Sequence, residues 1–163
     1  MSWESSILGF KSYLQIERSL STNSVDAYIR DVKKLETFAK KKKISELNIN
    51  KSDLSDFVSN ISKEGISARS QSRIISGIKA FYKYLIMEDC IKADPTELLA
   101  SPRIGLKLPD TLSIEEIDKL IAAIDLSTEQ GERNRAMLEI LYSCGLRVTE
   151  LITLKLSNVS FAE

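Results

Sequence analysis

The sequence contains no histidine among its 163 residues. This excludes catalytic mechanisms that use a Ser/His or Cys/His pair and metal sites built on histidine. Its two cysteines, Cys90 and Cys144, stand alone without metal-ligand spacing, as is usual in the reducing cytosol. No apolar run is long enough to span a bilayer, and the N-terminus lacks the cationic region that opens a signal peptide. We therefore expect a cytoplasmic protein that uses no metal ion and no other cofactor.

Proline is scarce and confined to one segment. Pro95, Pro102 and Pro109 are the only prolines in the chain, and Gly105 lies among them. Because proline stops a helix and favours extended geometry in the residue before it, residues 91–112 are predicted to form a linker. The predicted domains are therefore residues 1–90 and 113–163. The linker is expected to lie against protein for part of its length, because it also contains Leu98, Leu99, Ile104, Leu106 and Leu108.

The formal net charge is zero, but positive and negative residues are unevenly distributed. Residues 1–110 carry 18 Lys and Arg against 14 Asp and Glu, whereas residues 111–163 carry 5 against 9. An excess of cations in the N-terminal part indicates an anionic partner for that part.

Apolar residues recur at helical spacing along most of the chain. The spacing predicts helices over residues 2–17, 23–42, 51–63, 68–88, 114–125 and 129–144. Ser113 and Glu116 have the S-x-x-E spacing of a capping box at the start of the fifth helix. No strand pattern is convincing before residue 155. The predicted fold is all-α, with a four-helix bundle, a proline-containing linker and a further set of helices.

The fourth predicted helix has two chemically different faces. One is a core stripe made of Ile74, Ile75, Ile78, Phe81, Tyr82, Leu85 and Ile86. The opposite face combines cations with small residues: Arg69, Ser72, Arg73, Ser76, Ala80 and Lys83, with Lys79 at its edge. No acid occurs between Glu64 and Glu88, whereas exposed helices usually mix the two signs. Such a face predicts contact with nucleic acid, since small residues let the backbone approach while long cations reach phosphates or base edges. An ordinary solvated surface is the alternative.

The second predicted helix is a weaker candidate for the same role. Thr22, Asn23 and Ser24 could contact phosphate at its N-terminus through hydroxyl, amide and free backbone N–H groups. Arg30 and Lys33 continue along it, although acids interrupt the pattern. The lysines at 40–43 are better explained as complements to the helix dipole.

A short segment near residue 147 carries the most specific pattern. Gly145 is predicted to end a helix in the left-handed conformation, and apolar spacing then predicts a new short helix. Arg147 lies at that corner, with Glu150 three residues later on the same helical face. An arginine held by its own carboxylate is suited to binding an anion such as phosphate. An ordinary Arg–Glu surface pair is the alternative.

In order along the chain, these segments resemble the tyrosine recombinases, and most closely the Xer-type subgroup. The matching residues are Leu20–Ser24, Tyr28 and Asp31; Ser70, Arg73, Ile78, Phe81, Tyr82, Tyr84 and Leu85; Asp94–Pro95 and Leu108–Pro109; Leu112–Ser113; and Tyr142–Leu151. The resemblance covers nearly the whole chain, and the order and spacing of the segments carry it.

The resemblance implies a SAM-like helical core-binding domain followed by the first helices of a catalytic domain. In that family the two domains close around duplex DNA at a core half-site, and helices two and four face the DNA. Arg147 matches the first of two arginines that hold the scissile phosphate, and Glu150 matches the acid that supports the site. The implied activity is site-specific strand exchange through a phosphotyrosyl intermediate, in chromosome dimer resolution or integration. The implied partners are duplex DNA and the protein itself or a paralogous recombinase in a synaptic tetramer, near the bacterial nucleoid and without a small-molecule substrate.

The other catalytic residues of the family have no match in this sequence. They are a lysine on a strand hairpin, a His-x-x-Arg segment, a further His or Trp, and a tyrosine nucleophile. All five tyrosines precede Arg147. We therefore expect that this chain does not cleave DNA, and that it is part of a longer recombinase or a truncated relative. A stand-alone helical DNA-binding regulator and a helical protein–protein adaptor are the alternatives; the first does not need Arg147, and the second leaves the acid-free face of the fourth helix unexplained.

Overall fold

The computed structural model describes residues 2–105 and 108–159. Its helices are α1 (Trp3–Ile16), α2 (Thr22–Lys41), α3 (Lys51–Lys63), α4 (Ala68–Met87), α5 (Ile114–Ala122), α6 (Glu129–Cys144) and α7 (Val148–Ile152), followed by a 3₁₀ turn at Leu156–Asn158. No strand occurs in the described residues, so the predicted all-α fold is confirmed for them. The chain divides into two compact units, Met1–Leu106 and Lys107–Glu163. None of the described helices combines the length and hydropathy needed to cross a bilayer.

The first unit is a four-helix bundle in which α4 packs against α1, α2 and α3. The predicted apolar stripes supply its core, including six of the seven stripe residues of α4, which are buried. Ile86, the seventh, is only half-buried because it lies at the edge of the stripe near the end of the helix. Aromatic side chains join α1 to α4: the rings of Phe10 and Phe81 meet edge to face with centroids 5.4 Å apart.

The connection between α2 and α3 is held down by buried polar groups. The Trp3 indole N–H donates to the carbonyl of Ile44, and the Tyr82 hydroxyl donates to the carbonyl of Glu46. The Glu46 side chain itself is buried and accepts a hydrogen bond from the Ser6 hydroxyl at 3.1 Å. Burial raises the pKa of the Tyr82 hydroxyl, and the nearby Glu46, Asp53 and Asp94 carboxylates raise it further. Tyr82 therefore stays a neutral donor at physiological pH.

The first part of the predicted linker packs on the bundle. The Asp94 carboxylate accepts hydrogen bonds from the backbone N–H and the hydroxyl of Thr96, at 2.7 and 2.6 Å. This turn buries Thr96 and Leu99. Leu98, Ile104 and Leu108 are exposed, and Leu106 lies outside the described residues. The segment thus lies against protein for part of its length, as expected, while its role as a linker between domains 1–90 and 113–163 stays a prediction.

The second unit contains three helices, of 9, 16 and 5 residues, and local sequence signals mark two of their ends. Ser113 and Glu116 form the predicted capping box, with the Ser113 N–H donating to the Glu116 carboxylate at 2.8 Å. Helix α5 ends at Ala122, three residues earlier than predicted, because a turn follows in which the Asp125 carboxylate accepts from the Ser127 N–H. Helix α6 ends at Cys144, and the φ of 60° at the next residue, Gly145, confirms the predicted left-handed stop. Residues 160–163 of the predicted second domain lie outside the described residues.

Candidate nucleic-acid interface

A groove between α2 and α4 brings together residues from three parts of the first unit. One depression of about 180 Å³ is lined by Ser24, Ala27, Tyr28, Asp31, Arg73 and Ser76. A second, of about 150 Å³, shares Tyr28 and is lined by Tyr13, Leu14, Arg18, Leu20, Lys79, Ala80 and Lys83. We call these two depressions the basic groove. Among the described residues that line it, Asp31 is the only acid, and that side chain is buried.

The α4 side of the basic groove follows the predicted face. Arg73, Ser76 and Lys83 are exposed, and Lys79 is half-buried. No ion pair involves Lys79, Lys83 or Arg69 in the part of the chain that the structure describes. Arg69, exposed in the first turn of α4, and Ser72 extend this face beyond the groove. Arg69 and Lys83 are about 21 Å apart along the helix at 1.5 Å per residue.

Arg73 differs from the other cations of this face because it is paired. Its Nη1 donates to Oδ2 of Asp31 at 2.6 Å. Asp31 is 2% exposed and Arg73 is 51% exposed, so the carboxylate is at the bottom of the groove and the guanidinium reaches its surface. The structure leaves Arg73 exposed on the predicted face and adds a partner, the buried Asp31 carboxylate. The pair joins residues 42 positions apart, a contact that helical periodicity does not predict.

The environment of Asp31 opposes its ionisation. Burial raises the pKa of its carboxyl, and Arg73, with smaller contributions from Lys34 and Arg30, opposes only part of that rise. Its Oδ1 is buried and has no hydrogen-bond partner among the described residues. The negative charge is therefore poorly compensated.

This shift predicts how stability depends on pH. The ordinary pKa of Asp31 is 3.8 and the folded value is higher, so the contribution of this group to stability is fully present below 3.8 and is lost as pH rises through the folded value. We expect the melting temperature of the wild type minus that of Asp31→Asn to decrease steadily from acid to neutral pH. Thermal melts monitored by circular dichroism across that range would test it. Asp26→Asn, at an exposed site of the same helix, should show no comparable trend. A melting-temperature difference between the wild type and Asp31→Asn that grows with pH would contradict the prediction.

The predicted residues of α2 are only partly brought to the basic groove. Ser24 lines it. Its backbone N–H was expected to be free for a phosphate, but it donates to the N-capping Ser21 hydroxyl at 3.4 Å. Thr22 and Asn23 are exposed in the first turn. Arg30 is exposed near Asp31. Lys33 instead lines a different groove, between α1 and α2, with Glu4, Leu8, Lys11 and Glu36, because it lies on the far side of α2 from Asp31.

The structure adds two residues to the interface. Arg18 follows α1 and Tyr28 projects from α2, and both line the groove beside Lys79 and Lys83. Tyr28 also packs edge to face on Phe10, so its position is fixed. The local sequence pattern does not indicate that Arg18 is an interface residue, because only the packing of the helices brings it close to Lys79 and Lys83 of α4. The lysines at 40–43 are partly neutralised, Lys40 by Glu36 at 2.7 Å and Lys42 by Asp56 at 2.6 Å.

The second unit carries the predicted Arg147–Glu150 corner. The Arg147 backbone N–H donates to Glu150 Oε2 at 2.8 Å, and Nη1 donates to Oε1 at 2.9 Å. The predicted same-face pairing is therefore confirmed. The Arg147 side chain is 82% exposed, so most of its guanidinium is open to an anionic ligand.

Comparison with known proteins assigns the chain to a family. The family model described as "Phage integrase, N-terminal SAM-like domain" matches residues 7–89, which include the basic groove. The model described as "Phage integrase family" matches residues 110–163, which include Arg147. The chain belongs to the phage integrase family.

Curated relatives of this integrase-family chain place it near the Xer type. It is 36% identical over 158 residues to tyrosine recombinase XerD of Staphylococcus haemolyticus and 39% identical over 158 residues to that of Staphylococcus aureus. Each alignment covers 96% of this chain and 54% of the relative. The chain thus spans about half the length of the curated relatives that it matches. The resemblance to Xer-type tyrosine recombinases is confirmed.

Solved structures show the same fold at low sequence identity. The Tn1549 transposon integrase, solved in complex with a circular intermediate DNA, matches with a TM-score of 0.66 and 16% identity, over 95% of this chain and 49% of that one. The integrase from mycobacterium phage Brujita matches with a TM-score of 0.56 and 17% identity, over 88% of this chain and 46% of that one. The predicted SAM-like bundle followed by the start of an integrase catalytic domain is confirmed.

Proposed function

We propose that the first unit binds duplex DNA through the basic groove and the α4 face, as the core-binding part of an Xer-type tyrosine recombinase. The observation that carries this proposal is the groove itself, which is lined by Arg18, Arg73, Lys79 and Lys83 and whose only acid among the described residues, Asp31, is buried. The major groove of B-DNA admits an α-helix, and small residues such as Ser76 and Ala80 let α4 approach it closely. Thr22, Asn23, Ser24 and Arg30 at the adjoining part of α2 would contact phosphates, while Arg69 and Ser72 would extend the contact along α4.

We infer that Arg147 serves as a phosphate-holding arginine in strand exchange, with Glu150 fixing its orientation. Transesterification at phosphorus places negative charge on the non-bridging oxygens, and a guanidinium stabilises that charge. Partners in this setting would be duplex DNA and further recombinase protomers, in the cytoplasm beside the bacterial nucleoid. These 163 residues include no histidine and no tyrosine after Arg147, so we expect them to bind duplex DNA without cleaving it. A covalent product with a nicked duplex would contradict that expectation.

Charge reversal at Lys83 tests the proposal. Lys83 is exposed on α4 at the rim of the groove and has no ion pair in the described residues, so Lys83→Glu should leave the melting temperature nearly unchanged. The variant should bind a labelled random-sequence duplex about tenfold more weakly at low salt, with a salt slope reduced by about one. Fluorescence anisotropy over a salt series measures both quantities.

Two control variants distinguish a specific effect of the basic groove on DNA binding from a general effect of the protein's net charge. Lys63→Glu makes the same charge change on an exposed residue in the last turn of α3, away from the basic groove, and should weaken binding far less than Lys83→Glu. Arg147→Ala in the second unit should change duplex binding little. Equal losses at Lys63 and Lys83 would contradict a defined interface. A wild type with no salt-dependent duplex binding would favour a protein–protein adaptor instead.

A further inference from the structure

The Asp31 carboxylate is built into the contact between α2 and α4. It is 2% exposed at the bottom of the basic groove, and one of its oxygens, Oδ2, accepts from Arg73 Nη1 at 2.6 Å. The other oxygen has no hydrogen-bond partner among the described residues. Asp31 thus contacts one cation directly, Arg73, from the buried side of the groove.

Gly77 makes room for this carboxylate. A Cβ atom at position 77 would lie 3.0 Å from the Asp31 Cβ and 3.2 Å from its Oδ2, which is tighter than ordinary van der Waals contact. The two helices can approach and seat Asp31 at this point because position 77 has no side chain. The backbone of α4 and the backbone of α2 together fix where the carboxylate lies.

The consequence is that one nitrogen of the Arg73 guanidinium, Nη1, is held on Asp31 at 2.6 Å. Buried ion pairs are weak contributors to stability because the loss of hydration offsets much of the attraction. This pair follows that pattern, since burial outweighs the effect of Arg73 on the carboxyl. What the pair does determine is geometry: one N–H of the guanidinium points to Asp31, and within residues 2–105 the others have no protein partner. Half of the side chain remains exposed at the groove surface.

We propose that Asp31 is a positioning residue that orients the Arg73 guanidinium for contact with duplex DNA. The inference rests on the proposed DNA-binding function of the basic groove. Arginine binds phosphate and base edges through a planar fork of donors, so a guanidinium that is already oriented loses less conformational freedom on binding. Asp31 favours DNA binding by this route although it is itself an anion.

Removing the charge of Asp31 and removing its positioning effect should change the affinity for DNA in opposite directions. Asp31→Asn removes one negative charge from α2, and by charge alone it should tighten binding to DNA. Positioning predicts the reverse, a loss of about threefold to tenfold in affinity for a random-sequence duplex, corresponding to one side chain that must be ordered on binding. Asp26→Asn is the matched control, since it removes the same charge from an exposed site on the same helix and should bind as tightly as the wild type or more tightly.

A double-mutant cycle identifies Arg73 as the residue through which Asp31 acts. Arg73→Lys keeps the charge but loses the planar fork, and adding Asp31→Asn to it should cause no further loss of affinity. Asp31→Glu keeps the net charge but displaces the guanidinium, and it should also weaken binding, which keeps the test decisive if Asp31→Asn fails to fold. All measurements are made well below the melting temperature of each variant.

The outcomes separate this inference from the proposed function. A wild type that binds no duplex overturns the proposed function, and the inference with it. A wild type that binds, with a folded Asp31→Asn that binds equally or more tightly, overturns the inference alone and assigns Asp31 a purely structural role. Loss of affinity in Asp31→Asn but not in Asp26→Asn supports it.

Discussion

Replacing Arg73 by glutamate is expected to lower the free energy of unfolding by about 3 kcal/mol, the lower end of the range for breaking a buried ion pair. Arg73 is the only direct cation partner of Asp31 in the described residues, and Asp31 is 2% exposed. The substitution leaves that carboxylate buried without its counter-charge and places a second carboxylate beside it. Part of the penalty is relieved by protonation, because burial already raises the pKa of Asp31.

Chemical denaturation followed by far-UV circular dichroism at neutral pH measures this effect. Lys83→Glu makes the same charge change on the same helix and should unfold like the wild type. The double variant Asp31→Asn/Arg73→Glu should recover most of the lost stability, because it removes the buried charge. If Arg73→Glu unfolds at the same denaturant concentration as Lys83→Glu, the ion pair does not hold the two helices as described.

This expectation changes how Arg73 can be used as a probe of DNA binding. From the sequence, Arg73 and Lys83 are equivalent cations on the acid-free face of α4, and charge reversal at either would test the interface without unfolding. The structure separates them: Lys83 has no ion pair in the described residues, whereas the exposed Arg73 is paired with the buried Asp31 carboxylate. Weak duplex binding by Arg73→Glu would therefore mix lost contact with partial unfolding, and Lys83→Glu is the cleaner test.

Local sequence patterns were sufficient for the helices and for the Arg147 corner. The apolar stripe of α4 predicts its buried face because side chains three and four residues apart share a side of a helix. Ser113, Glu116 and Gly145 determine helix ends through interactions within a few residues, so their roles are readable locally. The Arg147–Glu150 pair likewise spans three residues.

Features that depend on contacts between distant segments could not be predicted in this way. A helical wheel places Asp31 as an interruption in the cation pattern of α2, yet the structure buries it under Arg73. Glu46 follows a lysine-rich run, yet it is buried and accepts a hydrogen bond from Ser6, 40 residues away. Arg18 reaches the basic groove and Lys33 does not, because the packing of α1, α2 and α4 decides which side of each helix meets which neighbour.

The second unit is expected to lack cooperative stability in this chain. Within residues 108–159, Gly131 is the only buried residue. Large apolar side chains there are exposed: Leu112, Ile114, Leu120, Leu126, Tyr142, Val148, Ile152 and Leu156 among others. Helices as short as α5 and α7, with 9 and 5 residues, are marginal in water without a packed apolar face, and a unit without a core gains little from burial.

The lack of a buried core in the second unit also affects how firmly Arg147 is held. An exposed ion pair between residues three apart on a helix contributes only about 0.2–0.5 kcal/mol, and Arg147 has no other described partner. A phosphate-binding arginine accelerates chemistry when its orientation is fixed in advance. Arg147 would therefore become fully oriented only when other protein covers the apolar surface of α5, α6 and α7.

Amide hydrogen exchange read by mass spectrometry tests this directly. Peptides from α1, α2 and α4 should be protected to the level of global unfolding, and peptides from α5 and α6 should exchange at least about a hundredfold faster. Deleting residues 107–163 should leave the melting temperature of the remaining bundle unchanged, because its core lies entirely within the first unit. Sedimentation at rising protein concentration should show self-association of the full chain that the shortened chain lacks, since exposed apolar patches of this kind drive association. Equal protection of α4 and α6, or a large loss of stability on deletion, would show that the two units stabilise each other.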